Sequence, residues 1–261
     1  MTLSTDLILG LMSLVEREAG ELILHARKII SKNKTDSRNV VTEYDIKVQN
    51  LLMERFSERI SGARFVCEEN EIHDNLKAEH LFIIDPIDGT MNFTKNLNHS
   101  CISVAYSSFG EIKAAAVYNP FVDEMFTAVK GEGARLNGEK ICADQCSLKD
   151  GLVLFGTAPY NSNAWDETFA LAKTAFLNSL DIRRQGSAEL DLCSVAAGRA
   201  GIYFEESVSL WDYAAGYLIA TEAGAEVTRL DGTPLPFDLS RCSILAGGKK
   251  ARDEFLELSV K

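Results

Sequence analysis

Residues 81–93 read LFIIDPIDGTMNF. An apolar run suited to a buried strand delivers a carboxylate at Asp85, directly before Pro86, and a second at Asp88, ahead of Gly89 and Thr90. Pro86 has a fixed φ and no backbone N–H, so the strand is expected to end at Asp85 in a sharp turn with no orphaned donor. Gly89 permits close backbone approach, and the N–H groups of a helix starting there would face an anion. Two carboxylates about 4 Å apart repel by roughly 4 kcal/mol at an effective dielectric of about 20. Such a corner calls for a proton or a cation, although a solvated Asx-type turn would tolerate both acids.

Two further stretches weigh against the solvated turn. CEEN ends the preceding strand with Glu68 and Glu69, seventeen residues before Asp85. Glu69, next to Glu68 on a strand, is expected to point the other way. LWDYAAGYLIATEAGA opens a helix with Asp212 in its first turn, where an acid by itself reads as a cap favoured by the helix dipole. Taken together, strand-end acids, a doubled aspartate corner and a helix-start acid form a set of hard oxygen donors suited to magnesium, with room for water and phosphate oxygens. No histidine or cysteine belongs to the set, which disfavours zinc.

The 261 residues suffice for one large domain with a sizeable core. We expect a single domain over 1–261, made of two tightly joined lobes at roughly 1–145 and 146–261. A net charge of −11 argues against a nucleic-acid partner and suits a bound cation, though solubility alone accounts for acidity. No apolar run reaches membrane-spanning length, so no membrane partner is expected. The N-terminus, MTLSTDLILGLMSLVEREAG, lacks a basic n-region and reads as a helix. Cysteines 67, 101, 142, 146, 193 and 242 lack zinc spacing, and reduced, buried thiols in a cytoplasmic protein are expected.

Periodicity predicts a helix over 3–31 with Leu7, Leu11, Leu14, Val15, Leu22 and Ile29 on its apolar face, and a second over 46–60. ARFVCEE and LFIID read as strands, and SCISVAYSS, IKAAAVYNP and EMFTAVK as an antiparallel meander, with KGEGARLNGE as a glycine-rich turn. Gly131-Glu132-Gly133 in that turn has no Rossmann helix after it. Helices over 163–178, 188–198 and 211–223 alternate with strands GLVLFGT, DIRRQG, AGIYFE, AEVTRL and SILAGG. The pattern implies an α+β fold in which helices separate two sheets.

At these residues the sequence resembles the inositol monophosphatase family, within the wider group of lithium-sensitive, magnesium-dependent sugar-phosphate phosphatases. DPIDGTMNF matches the family's D-P-[IL]-D-G-T-x-N-F signature, and WDYAAGYLIATEAGA matches its W-D-x-A-[AG]-G signature. CEE, VVTEYDIKVQ and GSAELDLCSVAAGRAGIYFE resemble further family stretches in the same order along the chain. The resemblance implies a layered α/β/α/β/α sandwich of the inositol monophosphatase / fructose bisphosphatase type. It places metal ligands at Glu68, Asp85, Asp88 and Asp212, with the carbonyl of Ile87, and implies two or three magnesium ions per site. Asp45, Thr90 and Glu68 take catalytic positions, with Thr90 and Asp45 orienting and deprotonating the attacking water. Asp88, Gly89, Thr90, Gly186, Ser187, Ala188, Glu205 and Asp212 take substrate-binding positions. Of the consecutive Glu205 and Glu206, the family spacing favours Glu205.

The reaction so implied is hydrolysis of a small polyol or sugar phosphate by in-line attack of a metal-activated water, with myo-inositol 1-phosphate the leading substrate. Fructose 1,6-bisphosphate, 3′-phosphoadenosine 5′-phosphate and histidinol phosphate are the alternatives. A non-catalytic regulatory protein on the same fold is the alternative of another class. A homodimer is usual in the family. Three departures from its pattern stand out: Cys67 in place of glycine, where a side chain is expected to crowd the site, Ser209 in place of a histidine, and a loop holding Lys34 whose other residues are not diagnostic.

Overall fold

The computed structural model describes residues 4–27, 29, 31–33 and 40–259; Lys34 lies outside them. The first helix, α1 (Thr5–Leu24), starts where Ser4 Oγ accepts the N–H of Leu7 at 3.3 Å. It is shorter than the expected 3–31, ending at a His25 cap, and a short hairpin of β1 (Ser31–Asn33) and β2 (Val40–Thr42) follows. Its buried stripe overlaps the expected one in part: Val15 is buried and Leu11 and Leu22 pack against the same core. Ile8, Met12, Val15, Ala19 and Ile23 face the core, while Leu7 and Leu14 are exposed. Gly20 explains the choice of face: a Cβ there would stand 2.7 Å from the Tyr118 ring, so only the Ala19–Gly20 side can approach the sheet.

Helix α2 (Glu43–Arg59) begins three residues earlier than its apolar period suggests, because Thr42 and Asp45 form a reciprocal capping box. The chain then builds a seven-stranded sheet from β3 (Arg64–Cys67), β4 (Leu81–Asp88), and, after the short α3 (Thr90–Thr94), β5 (Cys101–Ser108), β6 (Glu111–Asn119), β7 (Glu124–Val129), β8 (Gly133–Leu136) and β9 (Glu139–Ile141). β3 and β4 run parallel and every later pair is antiparallel, so the expected meander is present and extended by two strands. Gly131, in the turn joining β7 to β8, and Gly133, the first residue of β8, donate N–H bonds to Glu222 at 2.8 and 2.9 Å.

The second half adds β10 (Leu152–Phe155), α4 (Trp165–Asn178), β11 (Asp181–Arg183), α5 (Ala188–Ala196), β12 (Ile202–Val208), α6 (Ala214–Glu222), β13 (Glu226–Thr228), β14 (Cys242–Gly247) and α7 (Lys249–Ser259). Its strands form a five-stranded sheet in the order β11-β10-β12-β14-β13. The terminal helix α7 is not among the expected elements, yet Ala251, Phe255, Leu256 and Leu258 turn to one core, where the fully buried Phe255 stacks on Phe204 with ring centroids 5.1 Å apart.

Strand alternation assigns the layers. Phe82, Ile84, Val104 and Ala116 pack against α1 and α2, while Leu81, Ile83, Ala105 and Val117 share a core with Leu192, Ile219, Tyr203 and Ile244. Val153, Phe155, Ile202 and Leu245 turn the other way, toward Leu171 and Phe255. The order is therefore helices, seven-stranded sheet, α5 and α6, five-stranded sheet, helices: the expected α/β/α/β/α sandwich. All six cysteines are free, but Cys142 is exposed and Cys146 half-buried, so the expectation of buried thiols holds for four. Cys67 belongs to the core beneath α1 and α2 and crowds no cleft, because alternation turns it away from Glu68.

Candidate active site

Strand parity brings the acids to one face. Val66 and Glu68 are two apart on the line of β3, as are Ile83 and Asp85 on β4, and Val66 and Ile83 both belong to the core around α5 and α6. Asp88, three residues beyond Asp85, would fall on the opposite face of a regular strand. The strand does not end at Asp85 as the sequence suggested. It continues to Asp88 with a shift in register against β5, pairing Asp85 with Ser103 and then Asp88 with Cys101. This bulge holds Pro86, beyond the last residue paired with β3, and turns Asp88 back to the face of Asp85. The Ile87 side chain goes into the opposite core. Asp212 arrives from the far side on a single 3₁₀ turn, Leu210–Asp212, that leads into α6.

Each aspartate is anchored by one oxygen. Asp85 Oδ1 accepts the N–H of Ile87 at 3.0 Å. Asp88 Oδ2 accepts the Ser187 hydroxyl at 2.6 Å and the Glu189 N–H at 2.7 Å. Asp212 Oδ2 accepts the N–H of Ser209 at 2.6 Å, so Asp212 is the reciprocal partner of the Ser209 cap and a cleft residue at once. Burial pushes all three acids up, and they push each other. Asp85 rises well above the carboxylate range through burial and then through Glu68, Asp88 and Asp212. Burial, opposed by the Ser187 and Glu189 hydrogen bonds, takes Asp88 to about 6. Burial and then Glu68 take Asp212 to about 8, and Arg241 eases it only in part.

This crowding is what a cation would relieve. Among the neighbouring charges Glu68 pushes Asp85 hardest, ahead of Asp88 and Asp212. No three acidic, histidine or cysteine side chains among the described residues are gathered closely enough to grip a metal ion by themselves. The donors are nonetheless all carboxylate or carbonyl oxygens, and magnesium binds few protein ligands while keeping waters and phosphate oxygens. In donor chemistry and in charge the residues fit a divalent cation.

Glu68, Asp85, Ile87, Asp88, Gly89, Thr90, Gly186, Ser187, Ala188, Glu205 and Asp212 line a single cleft of about 140 Å³. Asp45 stands behind it, fully buried, and Thr90 Oγ1 lies 3.2 Å from Asp45 Oδ1 and 3.0 Å from the Ile87 carbonyl. Glu205 accepts the N–H of Ala158 at 2.9 Å and the Tyr203 hydroxyl at 2.8 Å, whereas Glu206 does not reach the cleft. A Cβ on Gly156 would stand 1.7 Å from Glu205 Oε2, so only glycine lets that carboxylate sit there. Ser209 is buried as the cap of the 3₁₀ turn.

Some residues of the site escaped the sequence reading. Asn92 Nδ2 donates to the carbonyls of His99 and Gln185, each at 2.8 Å, and so ties α3 to the loop before α5. Tyr160, held by Arg241 at 2.8 Å, and Arg184 line the same cleft. Glu189 joins α5 to α6. Asn92 lies inside the quoted signature and carried a signal; the others come from segments whose spacing says nothing of their meeting.

A model of the inositol monophosphatase family matches residues 5–261. The chain belongs to the inositol monophosphatase family. It is 36% identical over 220 residues to the Nus factor SuhB of Vibrio cholerae, an alignment covering 83% of this chain and 82% of that protein. An IMPase of Thermotoga maritima superimposes with a TM-score of 0.88 at 28% identity, over 98% of this chain and 97% of that one. An IMPase/NADP phosphatase solved with Mg2+ and phosphate superimposes with a TM-score of 0.83 at 25% identity, over 97% of this chain and 93% of that one. For an inositol monophosphatase family member, the cleft between the two sheets is where the shared signature residues converge.

Proposed function

We propose that this protein is a magnesium-dependent phosphomonoesterase that hydrolyses a small polyol or sugar phosphate, with myo-inositol 1-phosphate as the leading substrate. One observation carries the reading: Glu68, Asp85, Asp88 and Asp212, drawn from two strands and a helix start, line one cleft together with Thr90 and Glu205. In this reading Glu68, Asp85, Asp88, Asp212 and the carbonyl of Ile87 hold the magnesium. When bound, the metal neutralises charge on the phosphoryl group and lowers the pKa of water.

The chain's own residues supply positioning, on which phosphoryl transfer chiefly depends. The Thr90 hydroxyl donates a hydrogen bond to Asp45, which leaves the Thr90 oxygen lone pairs to orient a water for attack opposite the leaving oxygen, and the proton that water loses passes through Thr90 to Asp45. The amides of Gly89 and Thr90, at the turn into α3, face the phosphoryl oxygens. Glu205 accepts a hydrogen bond from a substrate hydroxyl, and Gly186, Ser187 and Ala188 shape the wall beside it. A cytoplasmic homodimer with the whole chain as one domain belongs to the same reading, and the free cysteines are consistent with it.

The test is phosphate release with magnesium over myo-inositol 1-phosphate, fructose 1,6-bisphosphate, histidinol phosphate and 3′-phosphoadenosine 5′-phosphate. Release from an inositol phosphate that stops with a chelator supports the proposal; no release from any of them overturns it. The name of the Vibrio cholerae relative, Nus factor SuhB, favours a second reading in which the fold serves as a Nus factor. A chain that releases no phosphate from the whole panel would leave that reading standing.

A further inference from the structure

Glu189 lies in the first turn of α5 and is fully buried. Its backbone N–H donates to Asp88 Oδ2 at 2.7 Å, beside the Ser187 hydroxyl on the same oxygen. Its carboxylate reaches the other way: the N–H of Ala215 donates to Oε1 at 3.3 Å and that of Gly216 to Oε2 at 2.5 Å. Those donors belong to the first turn of α6, and Tyr213 at the head of that helix supplies no side-chain cap. First-turn N–H groups have no acceptor within their own helix, so Glu189 caps α6 from a neighbouring one. Asp212 lies in the turn that runs directly into that capped end. One residue is thus bonded through its main chain to Asp88 and through its side chain to the helix that carries Asp212.

We propose that Glu189 is a positioning residue: it sets the separation of Asp88 from Asp212, and with it the affinity of the cleft for a divalent cation. The proposal rests on the phosphatase reading above. The packing leaves little play in this link. A Cβ on Gly216 would come within 2.6 Å of both Glu189 Oε2 and Leu192 Cβ, so α5 and α6 meet closer than any side chain allows. Both oxygens of the Glu189 side chain accept an N–H from α6, and these two bonds oppose the burial that raises its carboxyl. Glutamine would accept one and turn its own NH2 against the other, and aspartate would fall one methylene short. In either variant the Glu189 peptide is free to shift against α6, and Asp88 shifts with it.

The experiment uses the full chain as wild type, Glu189→Gln, Glu189→Asp and Gly216→Ala. Manganese binding is followed by the paramagnetic resonance of the free ion, magnesium by half-saturation of phosphate release, and folding by thermal unfolding in EDTA. Glu189→Gln is expected to bind manganese about 10-fold more weakly or worse, as is common when residues behind metal ligands are changed. Half-saturating magnesium should rise in proportion while kcat at saturating magnesium changes little, and Gly216→Ala should move the same way. A purely structural Glu189 would lower the Tm in EDTA and leave manganese affinity unchanged. That outcome in Glu189→Gln, or in Glu189→Asp should the first variant not fold, overturns the proposal. Wild-type protein that binds no manganese and releases no phosphate overturns the phosphatase reading, and this inference with it. Variants that match a wild type competent in both overturn this inference alone.

Discussion

Thr90 and Asp45, on α3 and α2, meet side chain to side chain, with Thr90 Oγ1 3.2 Å from Asp45 Oδ1. The other Asp45 oxygen accepts the N–H of Thr42 at 2.7 Å and its hydroxyl at 2.5 Å. A carboxylate bonded on both oxygens and fully buried cannot rotate. The capping box that starts α2 therefore also aims the hydroxyl that opens on the cleft.

Thr90→Val keeps the volume and removes that hydroxyl. We expect kcat to fall about 100-fold or more, the scale of a positioned proton acceptor, with the circular dichroism spectrum and the magnesium half-saturation unchanged. Steady-state kinetics with a phosphomonoester substrate decides the point. A variant with kcat within a few-fold of wild type would remove Thr90 from the reaction.

Asp212→Asn separates what the acids do for stability from what they do for function. In EDTA near neutral pH the substitution removes a carboxyl that burial and Glu68 raise to about 8, and that must therefore take up a proton on folding, while the Asn oxygen can still accept the Ser209 N–H. Relief of about 1 to 3 kcal/mol should raise the Tm by roughly 2 to 8 °C for a chain of this size. Magnesium should then stabilise the variant far less than it stabilises wild type, and phosphate release should be lost. Scanning calorimetry with and without magnesium measures both. A lower Tm in EDTA would mean that the acids are not in conflict.

Much of this was legible in the sequence because parity and spacing are local. The acids at Glu68, Asp85 and Asp88 stand at strand ends, and the layers follow from alternating strands and helices. Other features were not legible, for reasons that lie between segments. Strand β4 runs through the aspartate corner because a bulge absorbs Pro86, and no local propensity announces a bulge. The buried face of α1 is chosen by Gly20 against Tyr118, a contact with a strand about a hundred positions away. Periodicity found Leu11, Val15, Leu22 and Ile29, which pack into or against the core beneath α1, but could not separate them from the exposed Leu7 and Leu14. Glu189 looks in sequence like any acid in a first helical turn; its role appears only when α5 and α6 are seen packed together.

Gly156→Ala tests the substrate end of the cleft without touching an acid. The added Cβ would stand 1.7 Å from Glu205 Oε2, so the carboxylate must swing away from the Ala158 N–H and the Tyr203 hydroxyl. Loss of a hydrogen bond to a charged group is worth about 1.5 to 3 kcal/mol, or roughly 10- to 100-fold in kcat/KM. The loss should appear chiefly in KM, because Glu205 grips the substrate and not the phosphoryl group. An unchanged KM for a polyol phosphate, with full expression of the variant, would take Glu205 out of substrate binding.

Glu206 offers a pH-dependent test away from the aspartates. Its Oε1 is buried without a partner among the described residues, and burial, then Glu167, push its carboxyl from 4.5 up to about 7. A carboxyl raised in the folded state costs nothing while both states are protonated. Stability is lost as pH climbs from the unfolded value through the folded one, because the unfolded chain ionises first. Glu206→Gln removes that loss. The variant should match wild type in Tm near pH 4.5 and exceed it above pH 7, by at most about 3 kcal/mol and by less where water reaches the group. Unfolding of both proteins at pH 5 and pH 8 in one buffer series gives the answer: a Tm difference that does not grow with pH would show that Glu206 is as well solvated folded as unfolded.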